Sequence, residues 1–418
     1  MNNIHDFCST NPDWLADGFI GEFAEIYFQY FEERKYTAST VRNYLSSIAH
    51  FSLWANNKQL KLYQVDESIV TEFLDRHLPH CCCVKPVCRT HNVLRAALGH
   101  LLVVLRAHSF IEPPIVSNQP VDIELCHYDQ YMREVQGLAT NTRSIILRIV
   151  GRLLHSHFCD GEIDLEKVTV EHVRQFYVQQ IKLYSKPANA AGRVISSLRN
   201  YFRYRASLGD TVQGLTGSLS YPANWQLSSL PKTLSNEEVD QLINSLGKSG
   251  HSMRRSDAIL RCALDLGLRS GEIARLSLDD IDWHNGTIIL RYTKGQREDV
   301  MPLPVSTGEA IAAYLQHERP ATTSRAIFMR LIAPRDQPVG PHLIRKTIRQ
   351  AYARAGLPYT QSHLLRHTMA SRLLASGSSI KEVADVLRHQ SLNTTLIYAK
   401  LDSRKLIKVA LPWPGSEL

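Results

Sequence analysis

The chain has 418 residues, 44% hydrophobic and 21% charged, the balance of a globular protein with room for two to four domains rather than of a disordered tail. Its longest purely aliphatic run, Leu101 to Leu105, is far short of the ~20 residues a bilayer requires, and Met1 to Trp14 lacks the basic-then-apolar order of a secretory signal, so a cytoplasmic protein is expected. Forty-eight Lys and Arg against 40 Asp and Glu leave a formal charge of +8, which suits an anionic partner such as DNA, and eight cysteines in so long a chain do not resemble a secreted disulfide scaffold.

Helical periodicity dominates the first half. Phe19 to Tyr30, continuing through Glu33, predicts a first helix, and the cap-like Thr37-Ala-Ser-Thr40 leads into a second over Val41 to Trp54. Val65-Asp-Glu-Ser68 then opens a helix carrying Val70, Phe73 and Leu74. About a hundred residues later the order recurs: Tyr128 to Val135, Thr140-Asn-Thr142, Ile145 to His157, then Val168-Thr169 before Val170 to Tyr177, with Phe176 where Phe73 fell. Two related helical modules are expected, 15–110 and 120–208, with independent bundles as the alternative. Residues 209–233, rich in Gly, Ser, Pro and Thr, read as a linker.

From 234 the pattern becomes mixed. Ser235-Asn-Glu-Glu238 is a capping box opening a helix. Thr287 to Tyr292 and Asp299 to Leu303, joined through Lys294-Gly295, predict a β-hairpin, and helices resume from Pro341. The expected fold is therefore mainly α with a small β-sheet: helical N-terminal modules followed by an α+β domain at 234–402, then a tail at 403–418.

Polar residues of one chemistry gather in this last domain. Gly267-Leu-Arg269-Ser-Gly-Glu272 lies between helical stretches, Lys294 at the hairpin tip, and His363-Leu-Leu-Arg366-His367-Thr368 puts His363 and Arg366 on one helical face. His389 ends a helix over Ile380 to Leu387, and Tyr398 follows nine residues later. Singly, each has an ordinary explanation: a solvated helix end, a charged turn, a helix cap, a tyrosine at a core edge. Their order does not.

Over about residues 230–402 the chain resembles the catalytic domain of the tyrosine recombinase, or phage integrase, family. That pattern is an Arg in a Gly-x-Arg-x-x-Glu box, a hairpin Lys, a His-x-x-Arg box, a His or Trp, and then a Tyr. Arg269, Lys294, His363, Arg366, His389 and Tyr398 fill it, with Glu272 as the acidic member of the first box. One departure stands out: the family's Leu-Gly-His is here Leu387-Arg388-His389, so that Arg388 either alters the backbone or adds a phosphate contact.

The resemblance implies a bacterial, nucleoid-associated DNA strand transferase of the kind encoded by transposons and integrative elements. Tyr398 would attack a phosphodiester to form a 3′-phosphotyrosyl bond. Arg269 and Arg366 would hold the phosphate oxygens, Lys294 would protonate the leaving 5′-oxygen, His363 would exchange a proton with Tyr398, and His389 would bond the phosphate. No metal or nucleotide cofactor is needed for that chemistry. The partners implied are double-stranded DNA carrying specific sites and a homotetramer across two such sites, with companion recombinases an open question. Residues 120–208 would be the core-binding domain, with Arg143, Arg148, Arg152, Lys186, Arg193, Arg199, Arg203 and Arg205 contacting phosphates or simply facing solvent. The tail's Leu406, Ile407, Val409, Leu411 and Trp413 would dock on a neighbouring subunit or pack back on their own domain.

Two other readings stay open: a type IB-like topoisomerase, and a DNA-binding regulator without catalysis. Metal-dependent transposition through Asp279, Asp280 and Asp282 is disfavoured, because these read as a solvated loop. Separately, four of the eight cysteines fall between Cys81 and Cys88, and the set Cys81, Cys83, Cys88 and His91 is a candidate for structural zinc, with reduced thiols as the alternative.

Overall fold

In the computed structural model of the chain, the described residues are 23–83, 88–113, 119–158, 162–184, 187–221, 231–245, 252–291, 298–389, 395, 397 and 398. Packing divides the chain into two units, Met1–Ile111 with Leu227–Leu418, and Glu112–Gln226. Among the described residues no helix is long and apolar enough to cross a membrane.

The N-terminal segment holds α1 (Ala24–Glu33), α2 (Ala38–Asn57), α3 (Glu67–Glu72) and α4 (His91–Ala107). Thr37 starts α2 by accepting the Thr40 N–H, and Asp66 starts α3 by accepting the Ile69 N–H, each satisfying a donor that the helix cannot. Beyond α3 the backbone widens into a π-turn, Phe73–His77, in which the Leu78 N–H donates to the Phe73 carbonyl. Tyr27, Phe31, Leu45, Phe51, Phe73, Leu98 and Leu101 form the core of this segment. Fully burying each such side chain contributes about 1.5–3 kcal/mol.

The unit Glu112–Gln226 repeats this order with α5 (Pro120–Glu134), α6 (Thr140–His157), α7 (Val170–Lys182) and α8 (Pro187–Ser207). Both segments place a 3-10 turn, Leu62–Gln64 or Leu165–Lys167, just before the third helix. Thr169 caps α7 as Asp66 caps α3, and Phe176 is buried as Phe73 is. Part of the stretch read as linker is structured: Gln213–Gly217 forms α9, and Val212, Leu215 and Leu219 join the core around Tyr128, Leu154 and Phe202. Three apolar residues at helical spacing outweigh the surrounding Gly, Ser and Thr.

In the C-terminal segment Ser235 caps α10 (Asn236–Asn244) in the expected box with Glu238. Then come α11 (Met253–Leu264), α12 (Ser270–Arg275), β1 (Ile281–Asp282), β2 (Thr287–Leu290), β3 (Asp299–Pro302), α13 (Val305–His317), α14 (Pro341–Arg354), α15 (His363–Ala375) and α16 (Ile380–Val386). The sheet is antiparallel in the order β1-β2-β3, with Leu290 opposite Asp299 and Thr287 opposite Pro302. The expected hairpin is thus present, while its tip, with Lys294, lies outside the described residues. Ile259 and Leu260 from α11, Ile344 and Ile348 from α14 and Leu365 from α15 share one core. A second cluster, Met369, Ala370, Leu374, Val383, Leu387 and Tyr398, ties α15 and α16 to the tyrosine.

Candidate active site

The backbone builds the site before any side chain does. Gly267 sits at φ +59, and a Cβ there would come within 2.9 Å of Met369 Sδ and 3.2 Å of Leu387 Cδ2. Only glycine meets both conditions cheaply. Its carbonyl accepts a hydrogen bond from Arg366 on α15, and the Leu387 carbonyl accepts another. Arg366 is therefore anchored along one edge, 4% exposed, and holds the turn before α12 to the end of α16. Two carbonyls do not exhaust five N–H donors.

Arg269 is the N-cap of α12. Its N–H donates to Glu272 Oε2 at 2.8 Å and its guanidinium to Oε1 at 2.7 Å. The other side of that carboxylate receives Arg388, at 3.0 Å. Burial alone would raise the Glu272 pKa; Arg388 and Arg269 outweigh it and hold the carboxyl below its ordinary value. For Arg366, burial first and then the charges of Arg269 and Arg388 push the pKa down to about 9. Three guanidiniums around one carboxylate leave a positive excess suited to an anion.

Arg388 resolves the departure in the Leu-x-His motif. It stands at φ +53, a left-handed conformation in which glycine is at ease and other residues lose about 1–2 kcal/mol. Its side chain does not face outward for a phosphate. Instead it turns inward onto Glu272, the Val386 carbonyl and Met301 Sδ, with 5% exposure.

Tyr398 is 1% exposed, and its hydroxyl meets His367 Nδ1 at 2.6 Å. Burial raises the phenol to about 12 against the opposing charges of Arg366 and Arg269, so the hydroxyl is protonated and donates to His367. Burial, His363 and Arg366 lower the His367 pKa, which keeps the acceptor neutral. The expected proton partner was His363. That residue begins α15 and is exposed to solvent, with its pKa lowered by desolvation of its inner side and by Arg366 and Arg269. His367, one turn further along α15, occupies the place next to the hydroxyl. In the chain alone His367 is only context in Leu365-Arg-His-Thr368, because two histidines one helical turn apart cannot be ranked without a tertiary partner.

His389 lies parallel to the Tyr398 ring, centroids 6.5 Å apart, and shares a 2.7 Å hydrogen bond with Thr395 Oγ1. Burial and the nearby guanidiniums push its pKa down to about 4. Arg269, Glu272, Arg366, His389 and Tyr398 thus come together from well-separated positions, and Gly267, His367, Arg388 and Thr395 join them.

Other expectations need correction. Asp280 is not solvated but 5% exposed, because its carboxylate accepts the Ser277 N–H and pairs with Arg291 at 3.0 Å. Asp279 pairs with Arg325, and Asp282 accepts the N–H groups of His284 and Asn285, so all three carboxylates serve local structure. In the middle unit Arg143 bonds Asp129 at 3.0 Å and Arg205 bonds Glu124 at 3.0 Å and Asp210 at 2.5 Å, while Arg152 donates to Gln180. These side chains spend donors inside the module because acids or amides, mostly on neighbouring helices, reach them. Arg199 lies over the Tyr221 ring, and Arg148, Arg193 and Arg203 are exposed. Lys186 and the tail residues Leu406, Ile407, Val409, Leu411 and Trp413 fall outside the described residues.

The proposed zinc set also changes. Cys81 and Cys83 do approach other ligand-type atoms, but these belong to His50 and His77. Cys88 contributes its backbone carbonyl, to His50, and His91 faces Asp75 at 3.8 Å. His50 lies 31 residues before Cys81, where local spacing rules cannot find it.

Comparison with known proteins agrees with this architecture. The phage integrase family model matches residues 232–405. The protein y4rA of Sinorhizobium fredii, which bears the name of an integrase/recombinase, is 33% identical over 417 residues, 98% of each chain. The tyrosine recombinase XerC of Thermodesulfovibrio yellowstonii is 29% identical over 63% of this chain and 88% of its own. Among solved structures, a lambda integrase (75–356) dimer bound to a COC′ core site superimposes with a TM-score of 0.51 at 16% identity, covering 70% of this chain and 98% of that one. XerH bound to difH in a pre-cleavage complex gives 0.51 at 18% identity, over 82% and 96%. The chain belongs to the phage integrase family of tyrosine recombinases, and at the level of that family it is a site-specific DNA strand-exchange enzyme.

Proposed function

We propose that this protein cuts and rejoins specific DNA sites through a 3′-phosphotyrosyl intermediate on Tyr398, in the integration, excision or transposition of a mobile element. The observation that carries the reading is the Tyr398 hydroxyl, bonded to a neutral histidine at 2.6 Å beside a cluster of three guanidiniums. A phenol pushed up to about 12 is a poor nucleophile by itself. An entering phosphodiester that takes the remaining donors of Arg269 and Arg366 lies next to it, and His367 accepts the proton as the O–P bond forms. The departing 5′-oxygen is protonated by Lys294, and neutral His389, its Nδ1 accepting from the Thr395 hydroxyl, donates from Nε2 to a non-bridging oxygen. Each such donor is worth about 3 kcal/mol in the transition state. The phosphotyrosyl bond conserves the energy of the one broken, so a new 5′-hydroxyl reseals it without ATP or a metal ion.

The full-length match to an integrase/recombinase supports the mobile-element role. Double-stranded DNA is the proposed partner, with exposed Arg148, Arg193 and Arg203 on the middle unit as phosphate contacts and a homotetramer on two sites as the working assembly. A nicked suicide substrate from the flanks of the protein's own gene tests the reading. A covalent adduct is expected with the wild type and none with Tyr398→Phe; an adduct that persists in that variant overturns it. Exchange between two sites, rather than relaxation of supercoils alone, separates recombinase from topoisomerase.

A further inference from the structure

His50 on α2, His77 at the end of the π-turn, and Cys81 and Cys83 in the following loop form a second constellation, unrelated to the tyrosine site. Their ligand atoms all lie within 4.8 Å of one another. Cys81 Sγ is 3.3 Å from His50 Nε2, and Cys83 Sγ is 3.6 Å from His77 Nε2. Bonds of about 2.3 Å to sulfur and 2.0 Å to nitrogen place the corners of a tetrahedron about 3.3–3.8 Å apart. The side chains therefore surround a point that one ion would fill once the widest separation, at most 4.8 Å, closes by about 1 Å.

We propose that His50, His77, Cys81 and Cys83 bind a single structural zinc ion. The surroundings are those a zinc site uses. His50 Nδ1 lies 3.0 Å from the Cys88 carbonyl, which accepts its N–H and so leaves Nε2 with its lone pair toward the thiols. His77 is stacked on buried Phe73 at 5.3 Å and lies 5.9 Å from Trp54, fixing the second ring in an apolar wall. The π-turn Phe73–His77 aims it there, as such irregular turns often do at functional sites. Arg89 donates to the Cys83 carbonyl at 2.9 Å and fixes the backbone at the second thiol. Two thiolates and two neutral imidazoles balance the charge of Zn²⁺, and soft sulfur with imidazole in tetrahedral array selects it over magnesium or calcium. The ion would join α2 to the segment following α3.

The test uses the full chain, expressed with zinc in the medium and purified without chelator. Elemental analysis should find about one zinc per chain. Zinc should fall below ~0.1 equivalents in His77→Ala and Cys83→Ala, while Cys88→Ser and His91→Ala keep it, since Cys88 acts through its backbone. Should the ligand variants not fold, cobalt substitution of the wild type decides: visible absorption typical of tetrahedral cobalt with thiolate ligation is expected. Wild-type protein without bound metal, iron in place of zinc, a Cys81–Cys83 disulfide, or zinc lost from Cys88→Ser and His91→Ala but retained without His77 and Cys83 would each overturn the assignment.

Discussion

Two histidines lie one helical turn apart on α15, His363 and His367, and only His367 is bonded to the Tyr398 hydroxyl, so activity measurements can tell them apart. His367→Gln removes the acceptor of the Tyr398 proton and should slow adduct formation about 10²–10⁴-fold in single-turnover assays, without weakening DNA binding. Because burial lowers its pKa from 6.5, His367 stays neutral at pH 6.5 and above and becomes charged only further into acid. The cleavage rate should therefore hold down to that pH and then fall as a proton occupies Nδ1. A rate that instead climbs on acidification would remove His367 from the role. Glu272 runs in the same direction, but its effect is on stability. Its folded-state pKa lies below the ordinary 4.5, so its contribution to stability is present above 4.5 and lost as the pH falls through the folded value. Glu272→Gln should flatten the acid limb of a stability curve measured by urea unfolding.

At the level of elements, the site is held by the turns at Gly267 and Arg388, which Arg366 on α15 ties together. Gly267→Ala places a Cβ 2.9 Å from Met369 Sδ in a left-handed backbone, and should cost about 2–4 kcal/mol in denaturant unfolding, from strain plus overpacking. Arg388→Gly relieves left-handed strain of about 1–2 kcal/mol but leaves Glu272 with one partner where it had two. The net effect should be destabilising, and Glu272→Gln in the same chain should recover part of it in a double-mutant cycle. Full additivity of the two would mean that the pair is not coupled. Helix ends and the hairpin were legible in the sequence, since Ser235-x-x-Glu238, Thr169 and the β-branched apolar run from Thr287 are local signals. The helical turn at Gln213–Gly217 was not, because its apolar residues are few and are stabilised only by the core they join.

For the whole molecule, separate cores carry separate expectations. The middle unit has its own core around Tyr128, Leu154, Leu198 and Phe202, and residues 112–226 expressed alone should melt as a single cooperative transition by circular dichroism. A molten, non-cooperative profile would show that the rest of the chain completes it. The net charge of +8 gives the electrostatic share of binding a measurable form. The logarithm of the DNA association constant should fall linearly with the logarithm of salt, losing about 0.9 in slope for each phosphate contact removed by Arg148→Ala, Arg193→Ala or Arg203→Ala. Arg143→Ala and Arg205→Ala should act mainly on stability, since their partners are Asp129, Glu124 and Asp210.

The sequence by itself determined the fold class, the capped helices and the order Arg269, Glu272, His363, Arg366, His389, Tyr398, because those depend on periodicity, turn chemistry and motif spacing. Only the tertiary structure decided which histidine meets the tyrosine, that Arg388 faces a buried carboxylate rather than a phosphate, and that Cys81 and Cys83 approach His50 and His77 rather than Cys88 and His91. The physical reason is common to all three. Each outcome is a choice among partners of equal chemistry, and the choice is made by distances across the fold that adjacency in the chain does not encode.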